Sequence, residues 1–200
     1  MIKYFSLVFL FVVSSSFAGD KEKELLGLLQ KKFETVKDFT VTVVQRSGGK
    51  EILSGKLSYK KENKFSLDLK SNLIVSNGST IWNYNKKEKK VIINDVDETD
   101  PSFFSFRRII YDYPSQCTLS SGQDGAFNIL IFVPKENSNL GFSKAELWIG
   151  EDDLINKVVL TGSGSEKTEV GFSNYILNQD LPDSKFKFNP PEGSVVIDLR

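Results

Sequence analysis

The chain has 200 residues, with Lys+Arg 26 against Asp+Glu 26 and no histidine. That length supports one domain, or at most two, with a sizeable apolar core built without disulfides or metals, and the absence of net charge argues against a nucleic-acid partner. Without histidine there is neither a Ser-His-Asp nor a Cys-His arrangement, and the usual zinc ligands are missing, so an enzyme or a metal protein is disfavoured from the start.

At the N-terminus Lys3 precedes an apolar run from Tyr4 to Val13, followed by Ser14, Ser15, Ser16, Phe17 and Ala18 ahead of Gly19-Asp20. This is the layout of a cleavable export signal over residues 1–18, with the small residues Ser16 and Ala18 at the positions a signal peptidase reads. The apolar run is about half the length of a bilayer-spanning helix, which takes about 20 residues. No cysteine follows it to carry a lipid, so a soluble exported domain over residues 19–200 is expected. Cys117 is the single cysteine and has no intrachain partner. It is expected as a half-buried thiol in a strand, with stability supplied by packing.

From Asp20 to Lys37, Leu25, Leu26, Leu28, Leu29, Phe33 and Val36 recur at helical spacing between lysines and glutamates, which predicts an amphipathic helix. Strands follow. Phe39, Val41 and Val43 alternate with Thr40 and Thr42, Leu57 and Tyr59 suggest the next strand, and Phe65, Leu67 and Leu69 alternate with Ser66 and Asp68. Asn77-Gly78 marks a hairpin into Ile81, Trp82 and Tyr84, and a charged turn from Asn85 to Lys90 leads to Val91–Asn94. Lys86, Lys87, Lys89 and Lys90 fit a solvated hairpin tip, with acidic headgroups or a protein partner as the lesser reading.

Asp100-Pro101 then reads as a helix start. Phe103, Phe106, Ile110 and Tyr113 form one apolar stripe, Arg107 and Arg108 lie opposite, and Pro114 is the expected stop. Such a helix must lie on a sheet, as core or as a lid. Further strands are expected over Phe127–Val133, Ala145–Ile149, Ile155–Leu160, Thr168–Leu177, Phe186–Phe188 and Val195–Leu199. Ten or eleven short strands with Gly, Asn and Asp turns predict an antiparallel barrel or a strongly curved sheet in a single domain.

Two stretches carry a family resemblance: V-S-N-G-S-T-I-W-N-Y-N from Val75 to Asn85, and F-K-F-N-P-P-E-G-S-V-V-I-D-L-R from Phe186 to Arg200. With the export signal, the helix running into F-T-V-T-V-V-Q-R and the Phe-rich mid-chain helix, the chain resembles the periplasmic outer-membrane lipoprotein carrier proteins, the LolA family. The resemblance implies a mainly β fold with few helices, an incomplete, half-open antiparallel β-barrel covered by the N-terminal helix and a mid-chain lid helix. It also implies a periplasmic chaperone, acting as a monomer without cofactor. Such a chaperone takes lipoproteins by their acyl chains from an inner-membrane ABC transporter and passes them to an outer-membrane receptor, itself a lipoprotein.

The resemblance turns the apolar faces into candidate lipid contacts: Val41, Val43, Phe65, Leu67, Leu69 and Trp82 on strands, and Phe103, Phe104, Phe106, Ile109 and Ile110 on the mid-chain helix. Trp82 reads equally as a core anchor. Where the family has Arg-Pro-Asn before the Phe-bearing strand, this chain has Lys61-Glu62-Asn63-Lys64-Phe65, so Lys61 takes the place of the Arg that ties the lid shut. An ammonium cannot reproduce the planar donor fork of a guanidinium. A periplasmic lipid-binding sensor or adaptor on the same half-barrel is the alternative reading, and an Asp/Ser lipid hydrolase ranks below it.

Overall fold

The computed structural model describes residues 18–97 and 105–200. Residues 1–17 of the expected leader, the Asp100-Pro101 helix start, Phe103 and Phe104 lie outside the described residues. Helix α1 spans Ala18–Thr35. Its apolar stripe seats Leu25 and Leu29 in the core. It stops two residues earlier than the sequence pattern suggests, because Val36 turns inward, 2% exposed, and the Lys37 N–H donates instead to Asn178 Oδ1 at 2.8 Å.

The strands are β1 (Asp38–Ser47), β2 (Lys50–Lys60), β3 (Lys64–Leu69), β4 (Asn72–Asn77), β5 (Thr80–Asn85) and β6 (Lys90–Asp95) in the first half. After the mid-chain crossing come β7 (Cys117–Asp124), β8 (Phe127–Pro134), β9 (Lys144–Ile149), β10 (Ile155–Thr161), β11 (Lys167–Leu177) and β12 (Val195–Asp198). They form one 12-stranded sheet in the order β12-β6-β5-β4-β3-β2-β1-β11-β10-β9-β8-β7. Pairing is antiparallel except for β12, which runs parallel to β6. The sheet is open, with β7 and β12 at its two ends, and register shifts in β1 at Thr40/Thr42 and Gln45/Arg46 help it curve.

Two positions in this half of the sheet require glycine. A Cβ on Gly55 would lie 2.2 Å from the Asp68 carbonyl oxygen, so β2 and β3 approach here as no other residue allows. Gly78, with φ +97, makes the β4–β5 turn, and a Cβ there would meet Glu62 O at 2.5 Å. Asn77 Oδ1 accepts the N–H groups of Ser79 and Thr80 and completes that turn.

On the concave face, α1 and the mid-chain segment pack over the β7–β11 half of the sheet, with Phe106, Ile109, Ile110 and Tyr113 joining Leu29, Val41, Leu130, Leu147 and Val158 in one core cluster. The described part of the mid-chain stripe, Phe106, Ile110 and Tyr113, is therefore buried as expected, but its backbone is not one regular helix. A π-helical turn, Arg108–Asp112, closes with the Tyr113 N–H donating to Arg108 O, and a short α-helix, α2 (Tyr113–Gln116), follows. Pro114 sits in the first turn of α2, where its missing N–H has no intrahelical bond to break, so it starts this turn instead of ending the segment.

The convex face has its own buried set. Val75, Trp82 and Ile93 are paired across β4, β5 and β6 and share that face. The chain after β11 crosses it. Phe186–Phe188, expected as a strand, instead begins on the last residue of a 3-10 turn (Asp183–Phe186) that packs on β3 and β4, with Phe186 1% exposed and the Phe188 ring tilted against Tyr84 at 5.6 Å between centroids. Burying one such ring contributes about 2–3 kcal/mol. A buried carboxylate anchors this tail: Asp38, 1% exposed, accepts the N–H groups of Gln179 at 2.8 Å and Leu181 at 3.2 Å. Lys60 Nζ clamps the same stretch through Leu181 O and Asp183 Oδ1.

Candidate functional site

The concave face of the β1–β5 half encloses a cavity of about 320 Å³. Its position follows from strand alternation. Val43 and Gln45 of β1 face it, as do their cross-strand neighbours Phe172 and Val170 of β11. β2 adds Leu53, Leu57 and Tyr59, and β3 adds Phe65 and Leu67. Ile74 of β4 and Ile81 of β5 extend the wall, and Phe106 and Ser105 contribute from the mid-chain segment. The polar residues of this wall are Gln45, Tyr59, Asn63 and Ser105.

An aromatic cluster forms the inner end. Phe106 meets Phe39 edge-on at 5.3 Å between ring centroids, Tyr59 at 5.8 Å and Phe172 at 5.5 Å, while Phe39 stacks on Tyr59 at 5.0 Å. Burial holds the Tyr59 phenol neutral and pushes its pKa up to about 12, against a smaller opposing pull from Arg107. Tyr59 and Asn63 also border an adjoining groove of about 410 Å³, whose rim includes Phe33, Lys61, Arg107 and Tyr111.

Of the residues singled out from sequence, Val43, Phe65, Leu67 and Phe106 line the cavity together. Val41 lies on the same face but is 1% exposed inside the core, and Ile109 and Ile110 are buried in the same core cluster. Leu69 follows Leu67 on the concave face and packs over Gly55, beyond the cavity wall. Trp82 is turned away: Ile81 faces the cavity, so its neighbour in β5 is on the convex face with Val75 and Ile93. Among the described residues Lys61 bonds to α1 and not to the mid-chain segment; its ammonium donates to Glu34 O at 2.8 Å, near the end of α1, where a cation is favoured.

Sequence reasoning did not place Gln45, Leu53, Ile74, Val170 and Phe172 in the wall. Cross-strand pairing supplies the missing signal, because Val43 fixes Phe172 and Gln45 fixes both Val170 and Leu53. Cys117 is more deeply buried than expected, 3% exposed at the start of β7, and burial pushes its thiol pKa up. Among the described residues, no group of three or more His, Cys, Asp or Glu side chains could hold a metal ion, and no helix is long and apolar enough to cross a membrane.

An open half-barrel whose concave face holds an apolar cavity, bordered by Ser105 and Phe106 of the mid-chain segment, is the architecture of a protein that shelters an apolar ligand. Residues 31–189 match the family described as outer membrane lipoprotein carrier protein LolA, and the chain belongs to that family. It is 27% identical over 205 residues to an outer-membrane lipoprotein carrier protein of Pasteurella multocida, covering 100% of this chain and 97% of that one. Its counterpart in Pseudomonas putida is 24% identical over 190 residues, covering 92% and 91%. An uncharacterized protein of Methanocaldococcus jannaschii is 25% identical over 210 residues, and the chain spans 60% of that relative's length. Among solved structures, an uncharacterized conserved protein of Thermus thermophilus superposes with a TM-score of 0.60 at 15% identity, covering 89% of this chain and 99% of that one. The Mycobacterium tuberculosis lipoprotein LppX superposes at 0.51 with 11% identity, covering 82% and 99%. These superpositions bear on the fold alone. The family is one of non-enzymatic carriers.

Proposed function

We propose that this protein is a periplasmic chaperone that holds lipoprotein acyl chains in the concave cavity and carries them from the inner to the outer membrane. The observation that carries the reading is the cavity itself, about 320 Å³, walled by Val43, Leu57, Phe65, Leu67, Ile74 and Phe172. It is about twice the size of an engineered apolar cavity of about 150 Å³ that takes up benzene, and at the low end of the about 300–1,000 Å³ of ligand pockets. Family membership and the leader-like residues 1–18 support the cargo and the compartment. The partners this reading requires are an inner-membrane lipoprotein-releasing transporter and an outer-membrane receptor.

The energetics of such a carrier are a balance. An acyl chain in water costs about 0.8 kcal/mol per methylene, which an apolar wall cancels, while exchange between a bilayer and that wall is nearly neutral. Loading and release are then set by what covers the cavity. Phe106 belongs both to the cavity wall and to the core cluster under α1. The segment is tied to α1 by Gln30 Nε2 donating to Ile110 O at 3.1 Å and by the Tyr111 hydroxyl donating to Gln30 O at 3.3 Å. Helix α1 and the mid-chain segment would therefore move as one cover when several chains enter. Mass spectrometry of material extracted from protein isolated after export tests the reading: intact acyl-bearing lipoprotein is expected, and an empty protein or cleaved lipid products would refute it.

A further inference from the structure

The two ends of the half-barrel differ in charge. The β1–β2, β3–β4 and β5–β6 hairpin tips lie at one end, since Ser47 pairs with Lys50, Asn72 with Asn85 and Asn85 with Lys90. The last two tips are bonded together: the Lys86 N–H donates to Ser71 O at 2.9 Å, and its ammonium reaches Asp68 and Leu69 O. These tips carry Lys50, Lys70, Lys86, Lys87, Lys89 and Lys90 against Glu51, Asp68 and Glu88. Lys50, Lys70, Lys87 and Lys89 are exposed and take part in no ion pair among the described residues. The opposite end, where β6 and β11 finish and β2–β3, β7–β8 and β9–β10 turn, carries Glu62, Asp95, Asp124, Glu151, Asp152, Asp153 and Asp180 against Lys60, Lys61 and Lys64. A chain without net charge is thus polarised along its strands.

An apolar feature joins the basic end. β2 runs past its last pair with β3, Gly55 to Leu69, and its residues 50–54 project with β1 as a hairpin. Ile52 stands on that hairpin 59% exposed, and the next residue, Leu53, lines the cavity beside Gln45. An exposed aliphatic side chain among lysines fits a lipid surface, where the cations meet anionic headgroups and the aliphatic group enters the acyl boundary. An acidic protein surface would use the lysines but leave Ile52 unexplained.

We propose that the hairpin-tip end of the half-barrel docks on an anionic bilayer, with Lys50, Lys70, Lys87 and Lys89 on the headgroups and Ile52 at the acyl boundary. Docking presents the Gln45–Leu53 rim of the cavity to the membrane. This deepens the carrier reading and rests on it for its purpose, but not for its test. The contact is electrostatic and shallow, so it is reversible and weakens with salt.

The test is co-sedimentation of the protein isolated after export with vesicles of phosphatidylcholine alone or of equal parts phosphatidylcholine and phosphatidylglycerol. Displacement of a fluorescent fatty acid from the cavity, without vesicles, is measured in parallel. Binding to the anionic vesicles alone is expected, weakening with salt. Lys70→Glu with Lys87→Glu should lower it by at least about tenfold, Ile52→Asp should lower it further, and fatty-acid displacement should be unchanged. Equal binding of wild type to both vesicles, or of wild type and the double variant to the anionic ones, overturns the proposal. If the fatty acid does not bind while vesicle docking persists, the docking surface stands and the carrier reading falls. If wild type ignores anionic vesicles, yet the double variant fails to take lipoprotein from transporter in neutral vesicles, the tips meet an acidic protein and the bilayer proposal is overturned.

Discussion

Phe106 is the residue through which the cavity and the core communicate, and Phe106→Ala tests that coupling. The ring is 5% exposed and touches Phe39, Tyr59 and Phe172. Deleting a buried Phe costs about 3–5 kcal/mol. One side of this ring faces an existing cavity of about 320 Å³, so fewer packing contacts are lost and the low end, about 3 kcal/mol, is expected. For a domain of this size that is a fall in Tm of about 6–12 °C. The enlarged void offers a bound acyl chain more room, so a saturating fatty acid should raise the variant's Tm by more than it raises the wild type's. A ligand at 100 times its Kd contributes about 2.7 kcal/mol, which is readily seen in a thermal melt. A loss below about 1 kcal/mol on mutation, or equal ligand-induced shifts in the two proteins, would refute the placement of Phe106 between cavity and core.

Phe65→Glu puts a carboxylate in the wall at a half-buried position, so it should leave the melting profile near that of wild type while abolishing fatty-acid and lipoprotein binding; retained binding would remove Phe65 from the site. Asp38→Ala leaves the N–H groups of Gln179, part-buried, and Leu181, buried, without their acceptor, and at about 1–3 kcal/mol per unsatisfied group it should cost about 2–6 kcal/mol in urea unfolding and expose the tail after residue 178 to proteolysis. Cys117, buried with a raised pKa, should resist alkylation in the native protein and react only on unfolding, as followed by mass. Tyr59 keeps its proton more tightly when folded, with its pKa raised to about 12, so its contribution to stability is complete below about pH 10 and declines as pH rises toward 12, as alkaline melts of wild type and Tyr59→Phe should show.

Much of this architecture could be read from residue spacing, and the failures share a cause. Over Phe39–Val43 of β1 and in β3 a single apolar residue alternates with a polar one, so the face is unambiguous and Val43, Phe65 and Leu67 point where expected. In Ile81-Trp82-Asn83-Tyr84 both faces carry large apolar groups, because the convex side of β5 is also covered, and alternation alone cannot tell which faces the cavity. The tail that covers it departs from its spacing for a related reason. Phe186 and Phe188 have strand spacing, yet Phe186 is an anchor inserted from a 3-10 turn after Pro182. Asp38 gave no signal at all, since its partners are backbone N–H groups about 140 residues away. The partner of Lys61 was hidden similarly, being a carbonyl at the end of α1 instead of a side chain.

The central claim is that the concave cavity holds the acyl chains of lipoproteins. It is tested most directly by incubating inner-membrane spheroplasts, with an active lipoprotein-releasing transporter, with the protein isolated after export or with its Phe65→Glu variant, and measuring lipoprotein in the soluble fraction. The account predicts release into a soluble one-to-one complex with the wild-type protein and none with the variant. Lipoprotein that stays on the membrane with the wild-type protein, or that is released equally by the variant, would contradict it.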